Sequence, residues 1–215
     1  MPRNKYPEET VQKILDASLR LFLEKGYEET TVLDIVNELE GLTRGAFYHH
    51  FKSKEEVLDA LGTKLFWDNN PFEKVMAEKE LTGLEKIKKV IKLSLQNEDQ
   101  QKVGVMSISL LENPRILAEF MESNQTIAAK LFEKLFQEAI DDGSIKDIKY
   151  PKALPSLFTL LLNVWLPPAI FPGSKAEVLE RLYLMKDILD SIGVPVIDDE
   201  TLGYAKKTLE TILTE

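Results

Sequence analysis

Apolar positions in the first sixty-five residues recur at helical spacing and are punctuated by glycines and by Ser/Thr signals followed three residues later by an acid. Val11, Ile14, Leu15, Ser18, Leu21 and Phe22 mark one face of a first helix, opened by Pro7 and ended by Gly26, with Glu8 and Glu9 at the positive end of its dipole. Thr31-Val-Leu-Asp34 has the form of a capping box and starts a short second helix, predicted to bury Leu33, Ile35, Val36 and Leu39. Gly41 then stops it in the left-handed geometry that glycine adopts cheaply. Thr43 can cap a third helix, Arg44 to His50, on which Phe47 and Phe51 fall four apart and turn inward with Leu42. Arg44, Gly45, Tyr48 and His49 are left to face outward. Ser53-Lys-Glu-Glu56 is a second capping box, opening a fourth helix through Val57, Leu58, Leu61 and Leu65. Two short helices joined by a glycine-bearing turn and braced by a longer one are the elements of a helix-turn-helix.

The remaining chain also reads as helices, with no competing strand pattern. They start at Asn70-Pro71, Thr82-Gly-Leu-Glu85 and Asn113-Pro114 and are interrupted at Asp142-Gly143 and Pro167-Pro168. Leu84, Ile87, Ile91 and Leu95 form one apolar stripe, and Ile127, Leu131, Leu135 and Phe136 another. Leu154, Leu157, Phe158, Leu161, Leu162 and Trp165 crowd one helix, and Val178, Leu179, Leu182, Leu184, Met185 and Leu189 a second. A helix apolar most of the way round needs partners on two sides, which points to an interface with another copy. Val194 to Ile197 reads as a linker to a last helix, Glu200 to Leu213. The predicted fold is all-α: residues 1–64 form a three-helix helix-turn-helix domain and residues 65–215 a C-terminal helical bundle with a dimerisation surface.

Composition narrows the function classes. Hydrophobic residues are 44% of the 215 and charged residues 29%, as in globular proteins, and no apolar run approaches the roughly 20 residues that span a bilayer. The first ten residues lack an apolar export segment and there is no Cys, so a cytoplasmic location without disulfides or thiolate metal ligands is expected. The net charge of -9 argues against nucleic acid, and even residues 1–64 carry nine Lys and Arg against twelve Asp and Glu. Locally the balance reverses. From Thr43 to Lys54 the chain carries Arg44, Lys52 and Lys54 with His49 and His50, and no carboxylate. A small cationic footprint on an acidic chain predicts modest, salt-sensitive contact with phosphate.

No phosphate loop, nucleophile elbow or base away from this segment is present, so no enzyme chemistry, cofactor or metal site is expected. His49 and His50 point about 100° apart on a helix, which suits phosphate contact or packing better than shared metal ligation. The plain readings of their neighbours are Tyr48 as a half-buried aromatic and Lys52 and Lys54 as a solvated face.

The run ILDASLRLFLEKGYEETTVLDIVNELEGLTRGAFYHHFKSKEEVLDAL resembles the N-terminal domain of the tetracycline-repressor (TetR) family of bacterial regulators. The likeness covers about residues 11 to 61, most specifically LFLEKGYEETT, TRGAFYHHF and KSKEEV; beyond residue 65 it is architectural. The resemblance implies that Arg44 reaches base edges and that Thr31, Tyr48, His49 or His50, and Lys54 contact phosphates. Residue chemistry agrees: Arg can donate a bidentate pair to guanine, Gly45 permits close approach of backbone to DNA, and Ala46 can meet a thymine methyl. Thr43 completes the predicted DNA-binding set as the cap. Glu40 makes the turn one residue longer than the commonest family form, which leaves the lead base contact open.

For the C-terminal part, the resemblance implies a small-effector pocket, with Trp67, Met106, Leu110, Phe120 and Trp165 as lining residues, and a four-helix interface across a twofold axis. Leu154, Leu157, Phe158, Leu161, Leu162, Val178, Leu182, Met185 and Leu189 are the interface residues so implied. A twofold dimer presents two recognition helices, so the expected partners are a palindromic double-stranded DNA operator, a small apolar effector and a second copy. The alternative is a DNA-binding protein governed by a protein partner, without an effector.

Overall fold

The computed structural model describes residues 7–39, 41–68, 70–97, 111, 114–168 and 170–212. Among these, all regular structure is helical, and no helix is long and apolar enough to cross a membrane. They divide into two compact units, one within Met1–Asn69 and one taking up the described residues from Asn70 onward.

In the first unit, α1 (Pro7–Lys25) buries Ile14, Leu15, Ala17, Ser18, Leu21 and Phe22 and ends at Gly26, whose φ of +88° turns the chain away. Helix α2 (Val32–Glu38) has the capping box expected at Thr31 and Asp34. The structure corrects one part of its predicted face: Ile35 and Val36 are buried, whereas Leu33 is 49% exposed and Leu39 only half-buried. Gly41, at φ +80°, and a hydrogen bond from the Leu42 N–H to the Leu39 carbonyl (3.0 Å) shape the turn; Glu40 lies outside the described residues. Helices α3 (Arg44–His50) and α4 (Lys54–Asp68) follow, and α4 closes the unit with Val57, Leu58 and Leu61 buried. The side chain of Leu65 is outside the described residues.

The second unit contains α5 (Pro71–Met76), α6 (Gly83–Gln96), α7 (Pro114–Ser123), α8 (Ala129–Asp141), α9 (Leu154–Leu160), α10 (Lys175–Ser191) and α11 (Asp199–Ile212). A π-turn at Asn124–Ala128 joins α7 to α8, and another at Leu161–Trp165 follows α9. Thr82 and Glu85 form a capping box at the expected start of α6, and the Asp142 carboxylate also accepts from the Gly83 N–H at 2.6 Å. There α6 meets α8 backbone to backbone: a Cβ on Gly83 would lie 2.2 Å from the Ala139 nitrogen. Beside this crossing the buried Lys86 pairs with Glu138.

The α8 core face is Phe132, Leu135, Phe136 and Ala139, offset from the predicted stripe: Ile127 is exposed and Leu131 half-buried. Phe132 touches Phe72 and Phe158 edge-on at centroid distances of 5.0 and 4.7 Å, and Phe136 meets Phe158 at 5.5 Å, so rings from α5, α8 and α9 share one cluster. The two π-turns are linked by a polar chain, Asn163 donating to Asn124 at 2.9 Å with buried Thr159 alongside. Val194, Val196 and Ile197 are buried, so the predicted linker is itself part of the core.

Candidate nucleic-acid interface

The third helix is short and must be held by its neighbours rather than by its own propensity. The Thr43 hydroxyl accepts from the Ala46 N–H at 3.1 Å, and Phe47 and Phe51, both buried, anchor the opposite face. With that face fixed, Arg44, Gly45, Tyr48 and His49 are exposed, as predicted, while Ala46 and His50 are half-buried. The Tyr48 ring stands edge-on to Phe47 at 5.4 Å and is 48% exposed, which presents its hydroxyl from a rigid base. Gly45 has open space around it: a Cβ would meet only the Thr43 hydroxyl, at 3.9 Å. Nothing among the described residues requires glycine in this helix, where it is unfavourable relative to Ala.

The His49 and His50 rings lie 5.2 Å apart and nearly perpendicular. Burial, and then the neighbouring His49, hold His50 below its ordinary pKa.

Two expected phosphate contacts are already engaged. The Thr31 hydroxyl donates to Asp34 at 2.6 Å and also accepts the Asp34 N–H, and Lys25 pairs with the same carboxylate at 3.1 Å. These bonds, from Thr31 first and then Lys25, hold Asp34 down at a pKa of about 2. Lys54 turns inward, donating to the carbonyls of Tyr27 at 2.7 Å and Glu28 at 3.4 Å. The predicted box at Ser53 is half formed: Ser53 accepts from the Glu56 N–H, but the Glu56 carboxylate reaches the Lys52 N–H.

In the second unit, Phe120 and Trp165 are half-buried, and the Trp165 carbonyl accepts from Arg181 at 3.1 Å. Met106, Leu110 and the side chain of Trp67 lie outside the described residues. An open depression of about 800 Å³ runs along the polar face of α8, lined by Lys130, Glu133, Lys134, Gln137, Glu138, Asp141 and Asp142.

Of the expected interface residues, Leu154, Phe158, Val178, Leu182, Met185 and Leu189 are buried within their own chain. Leu161 and Leu162 are half-buried and Leu157 is exposed. The apolar side chains left at the surface of these helices are Leu157 (39%) and Leu160 (42%) on α9 and Tyr183 (43%) and Leu184 (50%) on α10. The excess of Leu on both helices signalled a second apolar side, but not which side.

Residues 14–61 match the sequence profile of the bacterial regulatory proteins of the tetR family. The chain is 48% identical over 50 residues to YerO, an uncharacterized HTH-type transcriptional regulator of Bacillus subtilis, a stretch that is 23% of this chain and 17% of that protein. It is 25% identical over 146 residues to KstR2, an HTH-type transcriptional repressor of Mycolicibacterium smegmatis, covering 65% of this chain and 69% of the relative. The crystal structure of a TetR-family transcriptional regulator from Pectobacterium atrosepticum shares the fold, with a TM-score of 0.63 and 21% identity over 90% of this chain and 98% of that one. Residues 14–61 therefore form a helix-turn-helix domain of the kind found in the tetR family of bacterial regulatory proteins.

Proposed function

We propose that this protein is a transcriptional regulator that reads double-stranded DNA through α3. The observation that carries the reading is the outward row of Arg44, Gly45, Tyr48 and His49 on a helix whose other face is locked by Phe47 and Phe51. Arg44 supplies the bidentate base contact, worth about 1–3 kcal/mol of discrimination, Gly45 and Ala46 allow close approach, and Tyr48 and the histidines hold phosphates. At Thr31 the free backbone amides of α2, rather than the hydroxyl proton, are the donors.

The active species is a homodimer formed through the exposed apolar residues of α9 and α10, and its operator is a near-palindrome. The output is repression, a reading supported by the name of the Mycolicibacterium relative. A small apolar effector, taken up beside Phe120 and Trp165, shifts the dimer to a spacing that no longer fits successive grooves. Governance by a protein partner is the second reading, favoured by the open, charged character of the depression along α8.

Titrating a labelled random-sequence duplex at two salt concentrations tests the DNA contact. Saturable binding that weakens steeply with salt is expected, and no binding at low salt contradicts the proposal.

A further inference from the structure

We propose that the His49–His50 pair couples DNA binding to pH: the pair takes up one proton when phosphate comes against it, so that DNA is held more tightly as the medium becomes more acidic. This rests on the DNA-binding reading above and adds a regulatory property to the same surface.

The chain has two histidines and no Cys, so these are its only side chains that ordinarily titrate between about pH 6 and 9. Both sit on the last turn of α3, with their rings 5.2 Å apart. Two imidazolium groups at that separation repel, and the half-burial of His50 further disfavours its charged form.

Among the described residues no carboxylate forms an ion pair with either histidine, and the acids of the neighbouring elements have other hydrogen-bond partners. Helix α3 carries Arg44 and no acid. On α2, Asp34 is held by Thr31 and Lys25, and Glu38 is paired with Arg20 of α1. At the start of α4, Glu56 accepts the Lys52 N–H, Glu55 is bonded to Ser53, and Lys54 is turned onto Tyr27. The Lys52 side chain is exposed and adds positive charge to the segment.

A phosphate reverses the preference. Its negative charge favours the imidazolium, in which both ring nitrogens donate, so the histidines hold a proton more strongly in the complex than in the free chain. A group whose pKa rises on binding contributes affinity that is fully present below its free-state value and is lost as pH rises through its bound-state value. Because His50 starts below the ordinary histidine value, the window opens on the acid side of neutrality and closes at the bound-state pKa. For one proton the affinity changes by up to about tenfold per pH unit inside that window.

The test is an anisotropy titration of the full chain with a labelled duplex selected from a random pool, at fixed ionic strength from pH 6 to pH 8. His49→Gln, His50→Gln and the double variant are run in parallel, with a melting curve at each pH to establish that every protein is folded. The expected result is a wild-type affinity that falls at least fivefold across the range and a double variant whose profile is flat. Binding by the wild type with no pH dependence, or an equal dependence in the double variant, overturns the coupling and leaves the DNA reading intact. Folded protein that binds no duplex at any pH overturns both.

Discussion

Lys54 lies over the ring of Tyr27, its ammonium 4.1 Å from the ring centroid, while donating to the Tyr27 carbonyl at 2.7 Å. This ties the first turn of α4 to the bend after α1, and it gives the lysine an architectural role in the free chain. Lys54→Met should therefore lower stability by about 1–2 kcal/mol, the worth of a partly desolvated cation–π contact and a charged hydrogen bond. The salt dependence of DNA binding should stay as it was. Thermal melting and a salt titration separate the roles, because loss of a phosphate contact would reduce the salt slope by about one and leave melting unchanged.

Gly45 sits in a helix with room for a methyl group. Gly45→Ala should stabilise the fold by about 0.5–1 kcal/mol, since it restricts the unfolded chain and fills open space. The same methyl obstructs the approach of DNA, so affinity should fall by about tenfold. Denaturant unfolding read beside a DNA titration checks this: higher stability with undiminished affinity would show that DNA does not come close to this position.

At Gly83 the effect runs the other way. An added Cβ would meet the Ala139 backbone at 2.2 Å, and neither helix backbone can yield cheaply. Gly83→Ala should cost about 3 kcal/mol in denaturant unfolding.

Leu157 and Leu184 are exposed on α9 and α10, whereas Phe158, next to Leu157, is fully buried. Leu157→Glu with Leu184→Glu should leave the melting of the protomer fold nearly unchanged while converting dimer to monomer by sedimentation. Phe158→Ala should cost about 3–5 kcal/mol of stability.

Local chemistry made much of the first unit legible. A capping box needs only a hydroxyl and an acid three residues apart, and the one at Thr31 forms as its spacing implies. The inward Phe47 and Phe51 follow from a spacing of four on one helix. Leu33 misled because hydrophobicity outweighed geometry: two residues before Ile35 it points about 200° from the buried side of a helix of seven residues.

In the second unit the misreadings come from long-range packing. The π-turn at Asn124–Ala128 shifts the helical phase, so Ile127 cannot continue the stripe of α8, and Phe132 takes the inward place. On α9 and α10 the sequence shows two apolar sides, but only tertiary structure tells which one the protomer uses. The contact of Lys54 with Tyr27, twenty-seven residues earlier, is likewise one that only tertiary structure reveals.

The most direct test of α3 as a sequence reader is selection of bound duplexes from a random pool, with wild type, Arg44→Ala and Tyr48→Phe in parallel. Wild type should enrich a near-palindrome with half-sites about one helical turn apart, Arg44→Ala should relax preference at a base in each half-site, and Tyr48→Phe should weaken binding to all sequences alike. A wild-type protein that binds the pool without enriching any sequence, or an Arg44→Ala variant that enriches the same site undiminished, would contradict sequence reading by α3.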